Sequence, residues 1–297
     1  MRILLTGATG QVGRAIALHL AARGHEVTGQ SRRFSSVPGV AFHIEASLGS
    51  PDAVERINGA ISPCEAIVHA AASLSHSLYD PAVSLVNCLG TQQIIQLADV
   101  WGARHLIYIA SVPAIGRPRQ HPITEEHPVD PPTAYHASKL YGEHLVRLAA
   151  TKERRSVTLR LTSPAGPGTP ENRFLAVVVR RALANRPIQL LGRGTRCQNY
   201  VDVRDVAVAV EACLKTAASG IYNIAGAEYI SNYDLARQCI EELSSQATVE
   251  FAEKADPEEG IVWDVSIAKA RQHFLYSPSF GIRDSIQAIA HEHLRPQ

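Results

Sequence analysis

Through its first half the chain alternates short apolar runs with stretches of helical periodicity. Arg2-Ile3-Leu4-Leu5-Thr6 has the length of a buried strand, and the helical pattern Ala15-Ile16-Ala17-Leu18-His19-Leu20 follows it closely. Further runs of strand length stand at Glu26–Gly29, Val40–Ile44, Ala66–His69, His105–Ala110 and Val157–Leu161. Strands that alternate with helices, rather than with tight turns, predict an α/β fold: a doubly wound parallel sheet with helices on both faces. The alternation breaks after Leu161, at Ser163-Pro164-Ala165-Gly166-Pro167-Gly168, and the later segments are shorter and mixed. A smaller C-terminal lobe is expected to begin there. Six prolines between Ser111 and Ala134 exclude a long regular element, so this stretch is expected to be a loop.

The first strand runs directly into Gly7-Ala8-Thr9-Gly10-Gln11-Val12-Gly13, which opens the first helix. Gly7 permits a tight turn, Gly10 lets backbone N–H groups approach a pyrophosphate, and Gly13 lets the helix pack closely on the strand. The positive end of the helix then favours the negative charge. Strand, glycine loop, helix and second strand in this order predict a dinucleotide site of the Rossmann type. Gly7, Thr9, Gly10, Gln11, Val12 and Gly13 are its candidate cofactor contacts.

Tyr135-His136-Ala137-Ser138-Lys139 places a phenol and an ammonium four residues apart, on one face of a helix, 24 residues after Ser111. A nearby positive charge lowers a phenol's pKa toward working pH, which suits it to general acid or base duty.

Together these segments resemble the extended short-chain dehydrogenase/reductases, the group of NAD-dependent sugar-nucleotide epimerases, dehydratases and reductases. The resemblance spans nearly the whole chain. Besides the glycine loop and the Tyr135 to Glu143 run, it rests on Val68-His69-Ala70-Ala71-Ala72, Val86-Asn87-Cys88-Leu89-Gly90-Thr91, Arg160 with Gly166-Pro167-Gly168, Tyr222-Asn223-Ile224-Ala225-Gly226 and Asp264-Val265-Ser266. It implies that Tyr135 is the acid/base and that Lys139 lowers its pKa while holding the nicotinamide ribose. Ser111 would hold the substrate oxygen, Asn87 would support the lysine indirectly, and Ala70 and Ala71 would border the cofactor. It further implies a dinucleotide-binding domain of residues 1–163 with about 199–224, and a substrate-binding lobe of about 164–198 and 225–297. Helices rich in alanine and leucine around 81–101 and 134–150 correspond to the family's homodimer interface, although packing on the sheet accounts for them equally well.

Several positions depart from the family pattern. After the second strand, Gln30-Ser31-Arg32-Arg33 stands where an NAD-preferring chain offers a carboxylate to the adenosine ribose. Arg32 and Arg33 could instead hold a 2′-phosphate through charge-assisted hydrogen bonds, which favours NADP over NAD. Ser47 replaces an adenine-contacting aspartate. The residues after Ser111, Val112-Pro113-Ala114-Ile115-Gly116, lack the Asp-Glu pair of the sugar 4,6-dehydratases, so that elimination is not expected. Gln198 stands where relatives place a diphosphate-gripping arginine, and Ser163 where epimerases often carry asparagine. Arg193 and Arg196, in the same segment as Gln198, are candidate replacements for the missing cation; as solvated loop charges they would contribute little.

Composition fits a soluble enzyme: 45% of 297 residues are hydrophobic, enough for a large core, and a formal net charge of +1 offers no basic field for nucleic acid. Five scattered cysteines without paired spacing read as reduced thiols, no apolar run reaches the ~18 residues of a membrane span, and the first strand leaves no room for a signal peptide. A cytoplasmic protein acting on a small molecule is expected. His291, His293, His121 and His127 form no metal-ligand pattern.

Three readings follow. The first is a sugar epimerase that oxidises a secondary alcohol with a retained NAD or NADP and returns the hydride to the other face. The second is an NADP-dependent ketoreductase or dehydrogenase using the same Ser111, Tyr135 and Lys139. The third is a non-catalytic dinucleotide-sensing protein, against which the intact catalytic residues argue.

Overall fold

The computed structural model describes residues 1–75 and 77–294. Seven parallel strands form its main sheet: β1 (Arg2–Thr6), β2 (Glu26–Ser31), β3 (Phe42–Glu45), β4 (Ala66–His69), β5 (His105–Ser111), β6 (Arg155–Leu161) and, later in the chain, Gly220–Ile224. Their spatial order, with Gly220–Ile224 at one edge, runs through β6, β5, β4, β1 and β2 to β3 at the other. The order reverses on either side of β1. Such a reversal opens a crevice at the carboxyl ends of the strands, where ligands bind in doubly wound sheets.

Helices α1 (Gln11–Ala22), α2 (Ala53–Ala60), α3 (Gly90–Trp101) and α4 (Ala134–Leu148) connect the strands. Side chains alternate between the two sheet faces. Ile3, Leu5, Val68, Ile107 and Leu159 pack with Ile16 and Leu20 of α1, whereas Leu4, Ile67 and Leu106 pack with Ile94 and Leu97 of α3 and Val146 of α4. Both faces are therefore buried, as the apolar strands require.

Beyond β6 the chain forms β7 (Ser163–Ala165), α5 (Phe174–Leu183), β8 (Ile188–Leu190), β9 (Cys197–Asp202), α6 (Val203–Lys215), β10 (Gly220–Ile224), β11 (Tyr229–Ser231), α7 (Asn232–Glu242), β12 (Val249–Phe251), α8 (Ala268–Phe274) and α9 (Ile282–Leu294). A small sheet of β11, β9 and β7, and a β12–β8 pair, stand apart from the main sheet. They share a separate apolar cluster that includes Leu175, Val179, Leu190, Leu235 and Ile286. Within the segment 199–224 expected on the dinucleotide side, residues 199–202 pair with the small sheet although Val201 packs in the main core, whereas α6 and β10, joined by α8, pack on the main body.

The third strand also starts later than its apolar run suggests. Gly39 is left-handed (φ 84°) and the Val40 N–H donates to Val37 O at 3.1 Å, so Val40 belongs to a turn and packs instead over Gly29. Between Val83 and Leu89, ahead of α3, the backbone coils as a π-helix, a form often found at functional sites.

Candidate active site

The crevice holds a cavity of about 470 Å³ lined by the glycine loop, the ends of β2, β4, β5 and β6, and the first turns of α4. Gly7 is left-handed (φ 68°), and a Cβ on it would lie 2.7 Å from Ala71 Cα, so only glycine lets the loop close on the segment after β4. Helix α1 starts at Gly10 with no side-chain cap and no acidic residue in its first turn. Its first N–H groups lack intrahelical partners and are open to an anion. Gln30, fully buried at the cavity wall, donates through Nε2 to Ala46 O at 2.6 Å, while its Oε1 has no hydrogen-bond partner. An uncapped helix start, a cradle that a side chain would fill and an orphaned acceptor fit a bound dinucleotide.

Of the residues expected to bind the cofactor, Gly7, Thr9, Gly10, Gln11, Val12, Gly13, Arg32, Ala70, Ala71, Tyr135 and Lys139 line this cavity. Arg33 does not. It is exposed, and only its carbonyl is engaged, accepting from Ser31 Oγ at 2.6 Å. Both arginines lie in the bend that follows β2, and of the two Arg32 alone borders the cavity. Ser47 is likewise absent from the wall, and Leu48 takes that place.

Ser111 ends β5, and Tyr135 and Lys139 stand one turn apart at the start of α4. Thr133 caps this helix, its Oγ1 accepting the His136 N–H at 3.3 Å. Farther along, Glu143 forms a buried two-pronged pair with Arg160 of β6, at 2.9 and 2.8 Å, which fixes the helix to the sheet. Ser111, Tyr135 and Lys139 all face the same cavity.

The electrostatics differ from the expectation that Lys139 depresses the tyrosine. Burial pushes the Tyr135 phenol up to about 12, and the opposing charge is that of Arg173. Lys139 Nζ donates to Ile109 O at 2.9 Å and lies 4.8 Å from the Tyr108 ring centroid, against 5.9 Å for Tyr135. Burial pulls the ammonium down to about 8, with Glu143 opposing. The site is dry enough that desolvation outweighs the pairwise charges.

Asn87 lies in the π-helical turn, and its side-chain hydrogen bonds go to Ser73 and Ser138. Its Oδ1 accepts the Ser73 N–H at 2.7 Å, and its Nδ2 donates to Ser73 O and to Ser138 Oγ at 3.0 and 2.9 Å. Ser138 Oγ in turn donates to Tyr135 O at 2.7 Å. Behind Asn87 a chain of hydrogen bonds runs through His69, which sequence reasoning did not single out. Thr6 Oγ1 lies 2.7 Å from His69 Nδ1, His69 Nε2 lies 3.1 Å from Thr91 Oγ1, and Thr91 donates to Asn87 O at 2.6 Å. Because the Thr91 proton is committed to Asn87, His69 is the donor at Nε2, and Thr6 donates to Nδ1. Burial holds this ring neutral, its pKa pulled down to about 3.

A second cavity of about 410 Å³ adjoins the first and shares Pro113, His136, Thr162, Ser163 and Arg173 with it. Arg196 and Gln198 line it, as expected of substrate contacts; Arg193 does not. Arg193 is an exposed residue paired with Glu259 at 3.2 Å, outside both cavities. Arg117 and Arg173 line the second cavity and had no signal in the sequence beyond lying in proline- and glycine-rich connections. Among the described residues no group of three or more metal-binding side chains occurs, and no helix is long and apolar enough to cross a membrane.

A doubly wound sheet whose glycine loop, serine, tyrosine and lysine meet in one crevice defines an NAD-dependent enzyme of the extended short-chain dehydrogenase/reductase type. The chain belongs to the NAD dependent epimerase/dehydratase family, whose sequence profile matches residues 3–225. It is 29% identical to a UDP-glucose 4-epimerase of Mycolicibacterium smegmatis over 226 residues, covering 70% of this chain and 72% of that protein. It is 28% identical over 233 residues to a 3-diazoavenalumate denitrifying reductase of a Streptomyces species, covering 75% of each. Among solved structures, the Thermus thermophilus UDP-glucose 4-epimerase complex with NAD superposes with a TM-score of 0.84 at 26% identity, over 98% of each chain.

Proposed function

We infer that the protein is an epimerase acting on a secondary alcohol carbon of a sugar, with NAD or NADP held in the first cavity and the sugar reaching in from the second. The observation that carries this reading is the convergence of Ser111, Tyr135 and Lys139 on the cavity that also contains the glycine loop. The likeness to UDP-glucose 4-epimerases supports a nucleotide-linked sugar. Ser111 holds the reacting oxygen, and Tyr135 takes its proton as the carbon is oxidised and returns one as it is reduced. The bound nicotinamide supplies the hydride acceptor and donor. Lys139, already charged below its pKa of about 8, keeps a cation beside the phenol and holds the ribose. Asn87 positions both the segment after β4 and α4 rather than relaying protons. Ser163, Arg196 and Gln198 contact the substrate from the second cavity, Ser163 where it meets the first.

A ketoreductase is the second reading, and Arg32 favours it. This arginine, with no carboxylate among Gln30, Ser31 and Arg33, suits a 2′-phosphate and hence NADP, and a reductase stands among the relatives. A homodimer belongs to either reading, through Leu85, Leu89, Tyr141 and Leu148, which are exposed on the Val83–Leu89 turn and α4.

Incubation with UDP-glucose and UDP-glucuronic acid, followed by proton NMR, tests the choice. A C4 epimer formed without net change in dinucleotide supports the epimerase. Net consumption of NADPH with a carbonyl substrate supports the reductase.

A further inference from the structure

Three arginines line the second cavity, and their partners separate them. Arg196 is paired with Glu258 at 2.5 Å, and Arg193, outside the cavity, with Glu259. Arg117 and Arg173 line the cavity, and among the described residues neither guanidinium has a hydrogen-bond or ion-pair partner. Two exposed cations without a partner among the described residues therefore border a space whose third cation, Arg196, is paired with Glu258. Arg173 also borders the catalytic cavity, and its charge is the one that opposes the burial of Tyr135. Helix α5 adds to the field. It begins at Arg173, carries no side-chain cap there and has no acidic residue in its first turn, so its positive end is uncompensated too.

We propose that Arg117 and Arg173 together hold an anionic group of the substrate, a phosphate or a carboxylate, where the second cavity meets the catalytic one. This rests on the enzymatic reading of the site and supplies the cation that Gln198 lacks. Guanidinium groups suit the purpose because their fixed fork of donors matches both kinds of oxyanion. The contact also reaches the chemistry: an anion on Arg173 screens the charge that favours the tyrosinate, so occupancy raises the pKa of Tyr135.

The test is isothermal titration of the full-length protein with uridine diphosphate, pyrophosphate, glucuronate and glucose. Uridine diphosphate and pyrophosphate binding identifies a phosphate, glucuronate binding a carboxylate. Arg117→Ala and Arg173→Ala should each weaken the bound anion by roughly 10- to 100-fold, the worth of one charge-assisted contact. Affinity for NAD should be unchanged, Arg193→Ala should match the wild type, and Arg173→Lys should recover part of the loss. Anion affinity insensitive to both alanine variants, an equal loss in Arg193→Ala, or no anion binding to the wild type overturns the proposal. Because the titration needs no turnover, its outcome is independent of whether a sugar is epimerised.

Discussion

Asn87 and Ser138 join the π-helical turn to the catalytic helix: Asn87 Nδ2 donates to Ser138 Oγ at 2.9 Å, and Ser138 Oγ donates to Tyr135 O. The same amide closes both backbone hydrogen bonds of Ser73, in the segment that follows β4. Two walls of the active site are thus held at one side chain.

Asn87→Ala should cost about 1 to 3 kcal/mol, since the buried amide is lost and the half-buried Ser73 N–H and carbonyl lose their partner. Urea unfolding measures the loss. Turnover should fall with it, and Asn87→Asp should not restore stability, because it sets a buried carboxylate against the Ser73 carbonyl.

Tyr135→Phe should lower turnover by at least about 10²-fold, because the phenol carries the proton. Dinucleotide affinity, measured by titration, should stay within a factor of about two, since the glycine loop is untouched. Unchanged turnover would remove Tyr135 from the chemistry.

His69 predicts a pH dependence of stability. In the unfolded chain its imidazole titrates near 6.5; in the fold, burial lowers that to about 3. Between these values the unfolded chain binds a proton that the native state refuses, so stability falls as pH drops from 6.5 toward 3. His69→Gln, which does not titrate, should lack this component. Urea midpoints at pH 7.0, 5.5 and 4.5 should fall more steeply for the wild type than for the variant, and parallel curves would contradict the assignment.

Arg32→Ala should weaken NADP by roughly 10-fold or more and leave NAD nearly unaffected, as expected from loss of a charge-assisted bond to the 2′-phosphate. Arg33→Ala should change neither, because its side chain lies outside the cavity. Fluorescence titration of both cofactors separates the two.

Local spacing made much of this legible in the sequence. Strand, glycine loop and helix are contiguous, and Tyr135 and Lys139 are one turn apart, so their geometry follows from residues 1–22 and 134–148 alone. What depended on distant segments was not legible. The second cavity gathers residues 113–117, 132–136, 162–173, 196–199 and 257–263, and no periodicity links Arg117 to Arg173. Arg193 looked equivalent to Arg196 in the chain, but Glu259 holds it outside the cavity. The pKa of Tyr135 escaped for a similar reason: spacing reports the nearby lysine, whereas desolvation is a sum over everything packed around the ring. Val40 was misplaced because the turn at Gly39 is fixed by contacts with α1.

The most direct test of the central claim is to purify the protein without added cofactor, denature it and identify any released dinucleotide by mass spectrometry, with parallel NAD and NADP titrations of the native chain. An epimerase that keeps its cofactor should release NAD or NADP in near-stoichiometric amount and turn over its substrate with none supplied. An empty site that binds NADPH and consumes it in turnover would contradict the epimerase reading in favour of the reductase. Failure to bind either dinucleotide would contradict the cofactor site itself.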